Sequence, residues 1–97
     1  MDHEDTTKVR GIVRAGVGRG VAWSEAIVSR SEIVLDSPMQ RIHLPRDMDG
    51  LQLSGSELSA SVPDLGLVQF APWRNRRWRT ALRAHGWMTT DDPGQSE

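Results

Sequence analysis

Between residues 8 and 15 apolar and polar positions alternate. Val9, Val13 and Ala15 fall on one side, and Arg10, Ile12 and Arg14 on the other. A two-residue period marks a strand with one buried face. The pattern breaks at Gly16-Val17-Gly18-Arg19-Gly20, a glycine-rich turn. It resumes over residues 21–28, where Val21, Trp23 and Ile27 share a face and are expected to enter the core. A third strand covers residues 32–35 and is closed by Asp36-Ser37-Pro38. A fourth covers 39–44, with Ile42 and Leu44 alternating against His43. Residues 45–50 are a turn cluster. Leu51 and Leu53 begin a fifth strand, which residues 58–62 continue or follow. Residues 63–66 turn again, and 67–70 form the last strand. Turn signals at this density predict a mainly β fold, a small antiparallel β-barrel or β-roll of about five or six strands.

At the C-terminal end the period changes. With residues placed about 100° apart, Trp78, Ala81, Leu82 and His85 fall in one stripe, and Arg76, Arg79 and Arg83 in another. The spacing predicts a helix over 73–85 that closes the barrel, with Trp78 as its anchor on the sheet. Pro72 suits a first helical position. Gly86 suits a left-handed cap, with Trp87 folding back onto Leu82 in a Schellman motif. Arg83 and His85 complement the negative end of the helix dipole, whereas Arg74, Arg76 and Arg77 sit poorly at its positive end. Residues 8–88 are expected to form a single domain between disordered segments at 1–7 and 89–97.

Length and composition narrow the picture. A chain of 97 residues with 37% hydrophobic content builds one small core. The absence of cysteine removes disulfides, thiolate catalysis and zinc–sulfur sites together. The acidic start, Met1 to Thr7, has no apolar run behind it, and no stretch approaches the roughly 20 apolar residues of a membrane span. The expectation is a cytoplasmic protein without a membrane partner.

Charge adds the one feature that bears on function. Residues 65–90 hold five arginines, three of the four tryptophans and no acidic residue. Their formal charge is +5, while the remaining seven Lys/Arg stand against all thirteen Asp/Glu, a charge of −6. Charge segregated in this way speaks about partners. Arg76, Arg79 and Arg83 are like-charge neighbours on a helix, which is mildly unfavourable without an anion nearby. The expected anion is an acidic protein surface, nucleic-acid phosphate, or the chain's own Asp47, Asp49, Asp64 or Asp91-Asp92; a stripe with no partner is the remaining reading. Arginine forks suit carboxylates and phosphates, and Trp with Arg is a common hot-spot pairing. Trp73 faces away from the apolar stripe, nearer the arginines. The expected partner-binding residues are therefore Trp73, Arg76, Arg77, Arg79 and Arg83. The expected function is a non-enzymatic binding or adaptor module that docks a macromolecule through this helix. The alternative is a nucleic-acid-binding protein, marked by a basic patch spreading onto Arg10, Arg14 and Arg19.

A second alternative lies in the glycines. Gly11-x-Val13-x-x-Gly16-x-Gly18-x-Gly20 resembles the glycine pattern near the start of the CTP-dependent riboflavin kinases, small cradle-like β-barrels that bind a nucleotide. The resemblance covers about ten residues and implies a small nucleotide-binding enzyme at loop 16–20. The Gly-Thr-Leu-Asn motif of that family has no counterpart in residues 38–44. A plain hairpin turn accounts for the same glycines. His3, His43 and His85 are scattered, and neither a His-Glu-x-x-His nor a Gly-x-Ser-x-Gly pattern occurs. No catalytic residue, metal ligand or cofactor is expected.

Overall fold

The computed structural model describes residues 5–15, 20–38, 40–63 and 65–89. Among them, the elements run β1 (Thr7–Ala15), β2 (Gly20–Val28), β3 (Glu32–Asp36), β4 (Arg41–Pro45), β5 (Gln52–Leu53), β6 (Leu58–Val62), β7 (Gly66–Pro72) and α1 (Asn75–Ala84). All strand pairs are antiparallel, and the order is β4-β3-β2-β1-β7-β6-β5. The protein is mainly β with one C-terminal helix, as its pattern predicts. Its sheet has seven strands rather than five or six, and it is a curled half-barrel whose edges, β4 and β5, are not paired to each other.

The extra strand comes from residues 51–62. Ser54 reverses the chain: its Oγ accepts the Glu57 amide at 3.0 Å and the Ser56 amide at 3.2 Å, and its own amide donates to the Glu57 carbonyl at 2.8 Å. This side-chain-to-backbone turn leaves Leu53 opposite Leu58, so β5 and β6 are two short paired strands, not one.

The concave side of the sheet holds the core. Val9 and Val13 of β1, Ile33 and Leu35 of β3, Ile42 and Leu44 of β4, and Val68 and Phe70 of β7 are all buried there. Helix α1 supplies Trp78, Ala81 and Leu82. The central strands contribute small groups. Gly11 of β1 and Ser24 and Ala26 of β2 all face inward and are buried. At Gly11 a Cβ would lie only 2.7 Å from Pro72 Cα and 2.8 Å from the Phe70 ring, so a side chain has no room where β1 and β7 close on each other. Ser24 satisfies its hydroxyl by donating to the Asp36 carbonyl at 3.2 Å.

This crowding overturns the expected placement of Trp23. Trp23 and Val21 point outward and are each 56% exposed, and Ser24, Ala26 and Val28 occupy the core face instead. A one-residue choice of register exchanges the two faces of a strand. Here the middle of the concave side is already filled by Trp78 and Phe70, whose rings tilt at 53° with centroids 5.3 Å apart. Only small side chains fit behind them.

The helix begins two residues later than the period predicts. Pro72 ends β7, the Trp73 amide donates to the Arg10 carbonyl at 3.0 Å, and the chain bends at Trp73 before the helix. Arg74 is the cap residue, with φ −127° and ψ 106°, and no side chain caps the first turn. The C-terminal end follows the prediction. Gly86 has φ +79°, its amide donates to Arg83 at 3.2 Å, and the Trp87 amide donates to Leu82 at 2.9 Å. These are the two bonds of a Schellman motif. The four stripe residues, Trp78, Ala81, Leu82 and His85, are all buried.

Candidate binding surface

Arginine divides into a structural set and a surface set. Arg46, a member of the turn cluster after β4, belongs to the first. Its guanidinium donates to the carbonyls of Arg30 at 2.9 Å, of His85 at 3.4 Å and of Gly86, and lies 5.0 Å above the Trp87 ring. It thereby satisfies carbonyls left over at the helix C-terminus and places a cation at the negative end of the dipole. Sequence reasoning missed this residue, because its partners are 16 and about 40 positions away.

The helix arginines are all exposed, and they divide between two flanks of α1. On one flank the Arg79 side chain lies over Gly55 in the β5–β6 turn. Arg83 follows one turn later on that flank. On the other flank Arg74 and Arg77 face β1. A groove of about 540 Å³ there is lined by Lys8, Val9, Arg10, Glu25, Trp73, Arg74 and Arg77. A second hollow, of about 440 Å³, lies between Thr7 and the helix, with Arg74, Arg76, Arg77, Thr80, Ala81 and Ala84 around it. Arg74 and Arg77 border both and form the ridge between them. Of the five residues expected to bind a partner, Trp73 and Arg77 line the first hollow and Arg76 and Arg77 the second, while Arg79 and Arg83 line neither.

Two local bonds fix this arrangement. The Trp73 amide bond to Arg10 ties the strand–helix corner to the middle of β1. Thr7 Oγ1 lies 2.9 Å from His85 Nε2 and ties the end of the helix to the start of the same strand. Helix α1 thus lies along residues 7–10 of β1, the part of that strand that β7 leaves unpaired.

Strand alternation then decides what surrounds the groove. Lys8, Arg10, Ile12 and Arg14 all point outward from β1. Ile12 sits between Trp23 on β2 and Ala71 on β7, and Arg10 sits opposite Glu25. Trp73, two residues beyond Ala71, stands on the same outer face and is 57% exposed. A hollow of about 310 Å³ at the far end is lined by Ile12, Arg14, Gln69, Phe70, Ala71 and Glu57. The outer face of β2-β1-β7 therefore interleaves cations with two exposed tryptophans.

Carboxylates are sparse on this surface. Among the described residues the ion pairs are Arg41–Asp36 at 3.5 Å and His43–Glu32 at 3.3 Å, both on β3 and β4. None links a carboxylate to Lys8, Arg10, Arg14 or a helix arginine. Asp47 and Asp49 are exposed and pair with none of these cations, while Asp64 and residues 90–97 lie outside the described residues. Among the described residues, no three His, Asp or Glu side chains cluster as a metal site, and no helix is long and apolar enough to cross a membrane. The loop at 16–19 lies outside the described residues; Gly11, the first glycine of that pattern, is buried in the sheet for the packing reason given above.

Comparison of the chain with protein-family models, with curated proteins and with solved structures finds no match.

Proposed function

We propose that the protein is a non-enzymatic binding module that docks an anionic macromolecule on the surface where the start of α1 meets the outer face of β1. One observation carries this reading. Trp73 is more than half exposed within a groove that, among the described residues, holds Lys8, Arg10, Arg74 and Arg77 against one carboxylate, Glu25. Cations held together without partners repel one another, and an incoming anion removes that repulsion. An exposed indole among them adds apolar contact area at small entropic cost. Trp73, Arg76 and Arg77 make direct contacts, joined by Arg74, Lys8 and Arg10. Arg79 and Arg83 act through the long-range field.

Retention on an immobilised polyanion such as heparin tests the reading. The double variant Arg74→Gln/Arg77→Gln is expected to elute at clearly lower salt than the parent while melting at the same temperature. The triple variant Arg76→Gln/Arg79→Gln/Arg83→Gln is expected to shift less, although it removes one more charge. A parent that flows through at about 0.15 M salt overturns the reading. So does a double variant that co-elutes with the parent.

A further inference from the structure

We infer that the macromolecule taken by this surface is a single-stranded nucleic acid, laid across the outer face of β2-β1-β7 with its bases stacked on Trp23 and Trp73. The inference rests on the reading of the basic surface above and names its partner.

The geometry is that of a stacking platform with cations between the rings. Trp23 lies beside Ile12, and Trp73 is bonded through its amide to Arg10, so the two indoles flank β1 on opposite sides. Strands are about 4.8 Å apart and residues rise about 3.4 Å, which places the two indole-bearing positions roughly 12 Å apart across β1. Both indoles are more than half exposed, at 56% and 57%. Lys8, Arg10 and Arg14 share the outer face of β1, with neighbouring cations at least about 7 Å apart. Cations at that spacing follow the backbone of an extended strand, while aromatic faces take unstacked bases whatever their identity. Arginine at these positions also stacks on base planes.

The alternatives fit less well. A duplex hides its base faces, and its major groove takes a projecting helix or ribbon. Here α1 is docked on the core by Trp78, Ala81 and Leu82, and the sheet face is broad. An acidic protein surface satisfies the arginines but gives no reason for an indole on each side of β1.

The test is a titration of the full chain with a single-stranded oligothymidylate of about 12 nucleotides, a length within the range covered by one small β-barrel domain. Three probes run beside it: an abasic oligomer of equal length, the matched duplex, and polyphosphate. Indole emission is expected to be quenched saturably by the single strand, because Trp23 and Trp73 are the exposed fluorophores. The single strand is expected to bind at least five-fold tighter than the abasic oligomer. Trp23→Ala is expected to lose about five-fold or more of the affinity for the single strand and none of that for polyphosphate. Arg10→Gln is expected to flatten the salt dependence by about one phosphate contact, a change of about 0.7 in the log–log slope. Equal binding of abasic and base-bearing oligomers, or tighter binding of the duplex, overturns the nucleic-acid inference and leaves the anion-docking reading standing. Failure of every probe, polyphosphate included, overturns both.

Discussion

Trp78 and Trp87 lie on the concave side of the sheet, and Trp23 and Trp73 on the convex side. The first pair are 0% and 8% exposed. Each has its indole N–H satisfied by a distant carbonyl: Trp78 donates to Ser54 at 2.9 Å, and Trp87 to Ser29 at 2.7 Å. A buried indole with a paired N–H contributes its full apolar area to stability without an unpaired donor. The second pair leave more than half of their surface in water and give the fold little. In a chain with only four tryptophans, the contrast separates residues that build the domain from residues that serve its surface. The arginines divide in the same way, with Arg46 clamped onto the helix end and Arg74 and Arg77 in no ion pair among the described residues.

Substitutions in the buried pair and its supports break the comparison hardest. Trp78→Ala is expected to destabilise the fold by about 3–5 kcal/mol, by loss of burial and the cavity left behind. Total stability of a domain is about 5–15 kcal/mol, so chemical denaturation is expected to find a much lower midpoint for this variant. A midpoint equal to the parent's would show that Trp78 is not the anchor.

Arg46→Gln comes next. It removes donors from the carbonyls of Arg30, His85 and Gly86 and the cation above Trp87. A loss of about 1–2 kcal/mol is expected, since the site is open to water on one side. The midpoint in urea is expected to fall with an unchanged slope. Gly86→Ala is expected to cost about 1–2 kcal/mol, because an L-residue at φ +79° brings its Cβ against the backbone. Differential scanning calorimetry checks the Gly86→Ala effect, and an unaffected midpoint would contradict the Schellman geometry.

The exposed pair are expected to give the smallest stability effects. Trp23→Ala and Trp73→Ala each stay within about 0.5 kcal/mol of the parent, while both weaken binding on the outer face. Should Trp23→Ala unfold the protein instead, the division of the tryptophans into two kinds fails.

The helix and its C-terminal cap were legible because their determinants are local. Trp78, Ala81, Leu82 and His85 recur at the helical period, and Gly86 and Trp87 follow within two residues of the cap. The alternation of β1 was legible for the same reason, with Arg10 and Arg14 outward and Val9 and Val13 inward. Trp23 was not. Both faces of β2 carry apolar residues, and hydrophobicity alone favours the bulkier set, Val21, Trp23 and Ile27, for the interior. The split of β5 from β6 turned on the Ser54 hydroxyl, which gives no periodic signal. In the candidate surface the residue types were visible as an arginine-rich, acid-free segment. Their grouping was not, because Lys8 and Arg10 are more than sixty positions from Arg74 and Arg77.

By itself, the sequence determined the class of fold, the helix with its buried stripe, and the net positive charge of the acid-free segment 65–90. Each depends on residues within one turn or one strand of each other, so short-range sterics and periodicity suffice. The tertiary structure alone decided which face of β2 is buried, where Arg46 is clamped, and which cations gather around Trp73. Those outcomes depend on the volume available on the concave side of a curled sheet and on the way α1 lies along the unpaired start of β1. Volume and docking are properties of the assembled sheet, and no stretch of neighbouring residues encodes them.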